Sequence, residues 1–191
     1  MTEAAAATDP LIAFYLGTGL DGAGRTLAQV LRFNHRQLEI QHDYIQWLFP
    51  LATPSEFNPG APLLTAAAAR QFREDATLRS HVLAALGVML TFYGLELDDG
   101  DPADISIDMA DHFRERAASW LTPGNHNYLR LTRMLTSLRL LGCRDDSVAL
   151  HYARDCLQDL LAAEEQHRWD GSSSRHRQLH TFIAQSIFSE Y

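Results

Sequence analysis

Lysine is absent: all 16 basic residues are arginine. Schiff-base chemistry, a Walker-type phosphate lysine and a lysine general base are therefore excluded. Cysteine is scarce, and Cys143 and Cys156 offer neither metal-ligand spacing nor a disulfide framework. Both fall in apolar helical patterns and read as reduced core residues. Positive net charge is missing as well. The balance is −8, which argues against a nonspecific nucleic-acid binder. No uninterrupted apolar run approaches the ~18 residues of a membrane span. The start, Met1–Asp9, lacks the basic and then apolar pattern of a secretory signal. The expectation is a cytoplasmic protein with no transmembrane segment and no nucleic-acid partner.

What is present is enough apolar material for a packed core: 46% hydrophobic residues in a chain of 191. Apolar residues recur at intervals of three and four almost throughout, the period of amphipathic helices. The reading is an all-α, single-domain multi-helix bundle. Residues 1–24 form an irregular N-terminal segment and 25–169 the helical domain. A linker and a C-terminal amphipathic helix occupy 170–191. Within the domain, one long helix is expected from Arg25 to Phe49, before a breaker-rich loop holding Pro50, Pro54, Asn58, Pro59, Gly60 and Pro62. Thr65 and Asp75 cap the next two helices, the second reaching Phe92 and stopping near Gly94. The acidic run around Asp98–Pro102 reads as a loop. Further helices are expected over Asp104–Leu121, Asn125–Gly142 and from Asp145 or Asp146 to His167.

Two of these helices carry polar rows. On the first, His35, Glu39, His42 and Gln46 follow i, i+4, i+7, i+11 and form one ridge beside an otherwise apolar surface. On the Asn125 helix, His126, Arg130, Arg133 and Ser137 repeat the spacing. One ridge offers a carboxylate and the other two guanidiniums, which suit planar, two-pronged recognition of carboxylates. His126 and Asn127 also sit at a helix start, where free N–H groups favour an anion. Either the ridges satisfy each other, a purely structural arrangement, or the arginines face a ligand, or the rows are exposed helix surface.

The same stretches carry a resemblance. Leu38-Glu39 and the run from His42-Asp43-Tyr44 through Gln46-Trp47-Leu48-Phe49-Pro50-Leu51 resemble the first signature of the opioid growth factor receptor conserved domain family. Met89-Leu90 with Phe92-Tyr93-Gly94, and His126-Asn127 through Arg130, Arg133 and Leu140-Leu141-Gly142, resemble its second and third blocks in order. The resemblance covers about residues 12 to 145 and is that of a short member of the family. It implies an all-α domain. For animal members it implies a receptor for an opioid pentapeptide, associated with the nuclear envelope and restraining cell growth. It offers no catalytic residue to carry over, and no cofactor is expected.

The expectation is therefore a non-catalytic module binding a peptide or small anionic ligand. Arg130 and Arg133 hold the acidic group, with His42, Gln46, His126, Asn127 and Glu39 as polar neighbours. Trp47 contributes an aromatic wall, and Asn58 a contact from the proline-rich loop. The alternative is a metal-dependent or acid–base enzyme. Glu39-x-x-His42 and Glu164-x-x-His167 each have the Glu-x-x-His spacing of di-iron bundles. A purely structural or interaction module is the third reading. Beyond the serine-rich linker, Leu179, Phe182, Ile183 and Ile187 share one helical face, which docks back on the bundle or pairs two protomers as a homodimer.

Overall fold

The first departure from the sequence reading comes at the N-terminus. The computed structural model describes residues 8–98, 106–120 and 125–141. Helix α1 (Pro10–Tyr15) lies inside the stretch expected to be irregular. Asp9 caps it by accepting the Leu11 N–H at 2.9 Å, and Pro10 occupies the first turn, where its missing N–H costs nothing.

The long helix expected over Arg25–Phe49 is three short ones: α2 (Leu27–Val30), α3 (His35–Ile40) and α4 (Ile45–Leu48). Capping boxes start the first two of them. Thr26 Oγ1 accepts the Gln29 N–H at 3.2 Å while Gln29 Oε1 accepts the Thr26 N–H at 2.8 Å. Asn34 and Gln37 repeat the exchange at 2.9 and 3.0 Å. Each box satisfies two backbone N–H groups that a continuing helix would use, so each starts a new helix.

Helices α5 (Ala66–Glu74) and α6 (Ala76–Tyr93) lie close to expectation. Thr65 caps the first by accepting the Ala68 N–H, and Asp75 accepts the N–H groups of Thr77 and Leu78 at the start of the second. By length and composition α6 could cross a membrane. Its Leu78, Val82, Ala85, Leu86, Met89 and Leu90 are buried in the protein, the pattern of a core helix.

The second departure follows Gly94. Strand β1 (Leu95–Asp98) pairs antiparallel with β2 (Ser106–Met109), in register Leu95 with Met109 and Asp98 with Ser106. The helix expected from Asp104 therefore begins only at α7 (Phe113–Trp120). Leu95-Glu96-Leu97-Asp98 and Ile107-Asp108-Met109 alternate apolar and acidic residues, the period of a strand, and the loop reading overlooked it. Gly94 has φ +81°, and a Cβ there would stand 2.8 Å from Arg116 Cβ and 2.9 Å from Phe113 Cα. Only glycine fits this turn without strain. Helix α8 (Asn127–Leu140) completes the described elements.

Among the described residues the fold is all-α with this one hairpin, and the chain divides into two compact units, Met1–Leu86 and Gly87–Tyr191. In the first, Tyr15 meets Phe72 edge to face at 4.8 Å and Phe14 meets Trp47 at 5.3 Å. The Tyr15 hydroxyl donates to the Leu48 carbonyl, tying α1 to α4. In the second, Tyr93 and Trp120 meet at 4.9 Å, and Trp120 Nε1 donates to the Tyr93 carbonyl at 3.1 Å. The helix expected from Asp145 or Asp146 to His167, the linker and C-terminal helix of 170–191, both cysteines, Gly142, and the residues Glu164 and His167 lie outside the described residues.

Candidate functional site

The break of the first long helix dissolves the row His35, Glu39, His42, Gln46. His35 opens α3 and Glu39 sits in its last turn, both half-buried. Gln41 then turns extended, at φ −90° and ψ 136°, and His42 lies exposed in the α3–α4 loop. Gln46 is on α4 and buried at 5% exposure, with an Oε1 that finds no hydrogen-bond partner among the described residues. Helical i, i+4, i+7, i+11 spacing places four side chains on one ridge only if the helix runs through all of them. For the same reason Glu39 and His42 no longer share a helix face. The metal alternative loses its geometric premise there, and no group of three potential ligands is found among the described residues.

Trp47 is buried and belongs to the aromatic core against Phe14. Asn58 is half-buried and donates from Nδ2 to the Asp43 carbonyl at 3.3 Å, so it braces the α3–α4 loop from the proline-rich segment.

The residue that organises this unit is one that periodicity did not single out. Arg25 Nε donates to Asp21 Oδ2 at 2.6 Å, Nη1 to Gln41 Oε1 at 2.6 Å, and Nη2 to Asp43 Oδ1 at 2.9 Å. Its guanidinium also lies over the Phe33 ring, 5.4 Å from the centroid. Burial lowers its pKa, but hydrogen bonds to Asp43 and Asp21 and their charges outweigh that and raise it overall. Asp21 is itself held, because its Oδ1 accepts the N–H groups of Ala23 and Arg25. A readable signal existed: Asp21-Gly22-Ala23-Gly24 is a turn sequence, and an aspartate that folds over its own turn leaves its second oxygen for a cation.

The second row survives as a helix. His126 is the N-cap of α8, and Asn127, Arg130 and Ser137 are buried while Arg133 is half-buried. Asn127 is the hub. Its N–H and its Nδ2 each donate to Asn125 Oδ1 at 3.0 Å, and its Oδ1 accepts from Arg130 Nη1 at 3.1 Å and from the Tyr93 hydroxyl at 3.5 Å. Arg130 is thus a working part of a buried polar network, at 4% exposure. Arg133 stands half-buried on the same helix, and burial pushes its guanidinium below the ordinary arginine value. The two polar rows belong to different compact units, Glu39 and His42 to the first and Arg130 and Arg133 to the second.

Residues 23–182 match the family described as the opioid growth factor receptor conserved region. The chain is 38% identical over 109 residues to the opioid growth factor receptor of Mus musculus, an alignment covering 57% of this chain and 17% of that protein. To the Homo sapiens opioid growth factor receptor it is 37% identical over 132 residues, covering 69% and 19%. To opioid growth factor receptor-like protein 1 of Xenopus tropicalis it is 37% identical over 109 residues, covering 57% and 20%. The aligned region is thus a fifth or less of each of these relatives. No solved structure matches. With most of its length matched, the chain belongs to the opioid growth factor receptor conserved-region family.

Proposed function

We propose that this chain is a non-catalytic binding module for a peptide or small anionic ligand, and that Arg133 on α8 is the group that receives the ligand's negative charge. The observation that carries the reading is the burial of Arg133. A cation moved partly out of water is disfavoured in its charged form, and an anionic group brought beside it offsets that cost. Arg130 and Asn127 support the reading from below, because their buried network fixes the helix face on which Arg133 stands. His126 opens the same helix as its N-cap residue, beside the Asn127 N–H that Asn125 Oδ1 holds. The relatives bear the name receptor, and the mouse and human ones are named for an opioid growth factor. An opioid pentapeptide, whose C-terminal carboxylate is the complementary charge, is therefore the first probe.

The full chain is melted with increasing pentapeptide, and separately with inorganic phosphate. A ligand that binds only the native state raises Tm by mass action, about 2.7 kcal/mol of stabilisation at a hundredfold excess over Kd. The expected result is a saturable rise with the peptide that Arg133→Gln abolishes while keeping the unliganded melt. A flat response to both probes, or an equal rise in the variant, would sink the assignment.

A further inference from the structure

The break between α3 and α4 has no breaker in it. From His35 to Phe49 there is neither glycine nor proline, and apolar residues keep helical spacing across the gap. The capping boxes at Thr26 and Asn34 account for the starts of α2 and α3, but nothing of that kind separates α3 from α4: Tyr44, the N-cap of α4, makes no side-chain capping bond. Two side chains from elsewhere, and one within the gap, bond across it. Arg25 grips Gln41 and Asp43, the two neighbours of His42, at 2.6 and 2.9 Å. Asn58 Nδ2 takes the Asp43 carbonyl at 3.3 Å. The Tyr44 hydroxyl donates at 3.0 Å to the Leu38 carbonyl, the acceptor that the His42 N–H would use in an unbroken helix.

We propose that Arg25 is a latch on a latent helix: it keeps Gln41–Tyr44 in loop form, and its release lets α3 and α4 join. Joining restores the ridge His35, Glu39, His42, Gln46, turning Gln46 out of the position where its Oε1 is buried without a partner. The latch is suited to release because it is shared. Of its three grips one is to a neutral amide and one to the Asp43 carboxylate, whose side chain is 50% exposed and open to screening by salt. Asp21, the third, lies on the near side and holds Arg25 to its own turn whether or not the loop is gripped. The inference does not depend on which ligand the family member receives.

The test follows backbone 13Cα shifts and amide exchange of residues 41–45 by NMR in the full chain. Wild type is compared with Asp43→Ala, which removes an exposed grip and leaves Arg25 its buried partner, and with Arg25→Gln. Wild type in about 1 M sodium chloride, where the screening length falls to roughly 3 Å, needs no substitution. Helical shifts at Gln41–Tyr44, with exchange of the Asp43 and Tyr44 amides slowed about tenfold or more, are expected in Asp43→Ala and at high salt. If Arg25→Gln does not fold, those two arms decide alone. Shifts that stay put or move towards coil in both would overturn the latch.

Discussion

Arg130 Nη1 lies 3.1 Å from Asn127 Oδ1, one turn earlier on the same helix, and both side chains are buried. The pair is neutral on one side, so the guanidinium gains a directed hydrogen bond without the repulsion or desolvation of a second charge. Asn127→Ala strips the hub from Arg130, Tyr93 and Asn125 together. A loss of about 1–3 kcal/mol is expected from one stranded buried partner, with more if Arg130 is left poorly solvated. Urea midpoints at constant m-value measure it. A loss under about 0.5 kcal/mol would show that the network contributes nothing to stability.

Gln46 presents the opposite case, a buried acceptor with nothing to accept from among the described residues. Gln46→Met keeps the length and removes the carbonyl. The variant is expected to melt at or above the wild-type temperature, gaining up to about 1 kcal/mol. A clear loss of stability would mean that the amide is satisfied in solution, by water or by a partner.

At Gly94 the backbone itself is diagnostic. Gly94→Ala must place a methyl group 2.8 Å from Arg116 Cβ at a φ of +81°. The expected cost is about 2 kcal/mol or more, combining left-handed strain with displacement of α7. Thermal melting of the variant at matched concentration checks it. An unchanged Tm would show that α7 can move away freely.

The arginines set a pH signature by their silence. Arg25 has its pKa raised on folding, so the stability it confers is complete below the ordinary arginine value and is lost only above the raised one. Arg133 has its pKa lowered, so its charge penalises the native state below the lowered value, and stability recovers as pH climbs past it towards the ordinary one. The Arg25 window is strongly alkaline. The stability change of Arg25→Gln should therefore be the same at about pH 6 and about pH 9, within about 0.5 kcal/mol. A change that grows or vanishes across that interval would mean that another titrating group sets the strength of the cluster.

The helices α5, α6 and α8 were legible because each has a cap or a breaker in the right place and an apolar face long enough to show its period. Their polar positions were legible too: Arg130 and Arg133 stand on one helix as spacing requires. The segment Arg25–Phe49 misled for a physical reason. Its apolar period continues while Thr26-x-x-Gln29 and Asn34-x-x-Gln37 restart the backbone, and a wheel that counts hydrophobicity alone passes over such local exchanges. Asp9-Pro10 before α1 and the apolar–acidic alternation after Gly94 were likewise present in the residues and outweighed by a helical prior.

The sequence by itself determined the mostly helical character, the family and the chemistry available, because periodicity, composition and ordered motifs are properties of the chain. Tertiary structure decided which polar groups share a place. Whether Gln41 and Asp43 continue a helix or turn aside depends on an arginine 16 and 18 residues earlier. Local propensities for those residues differ by only a few tenths of a kcal/mol, so a contact distant in sequence settles the outcome.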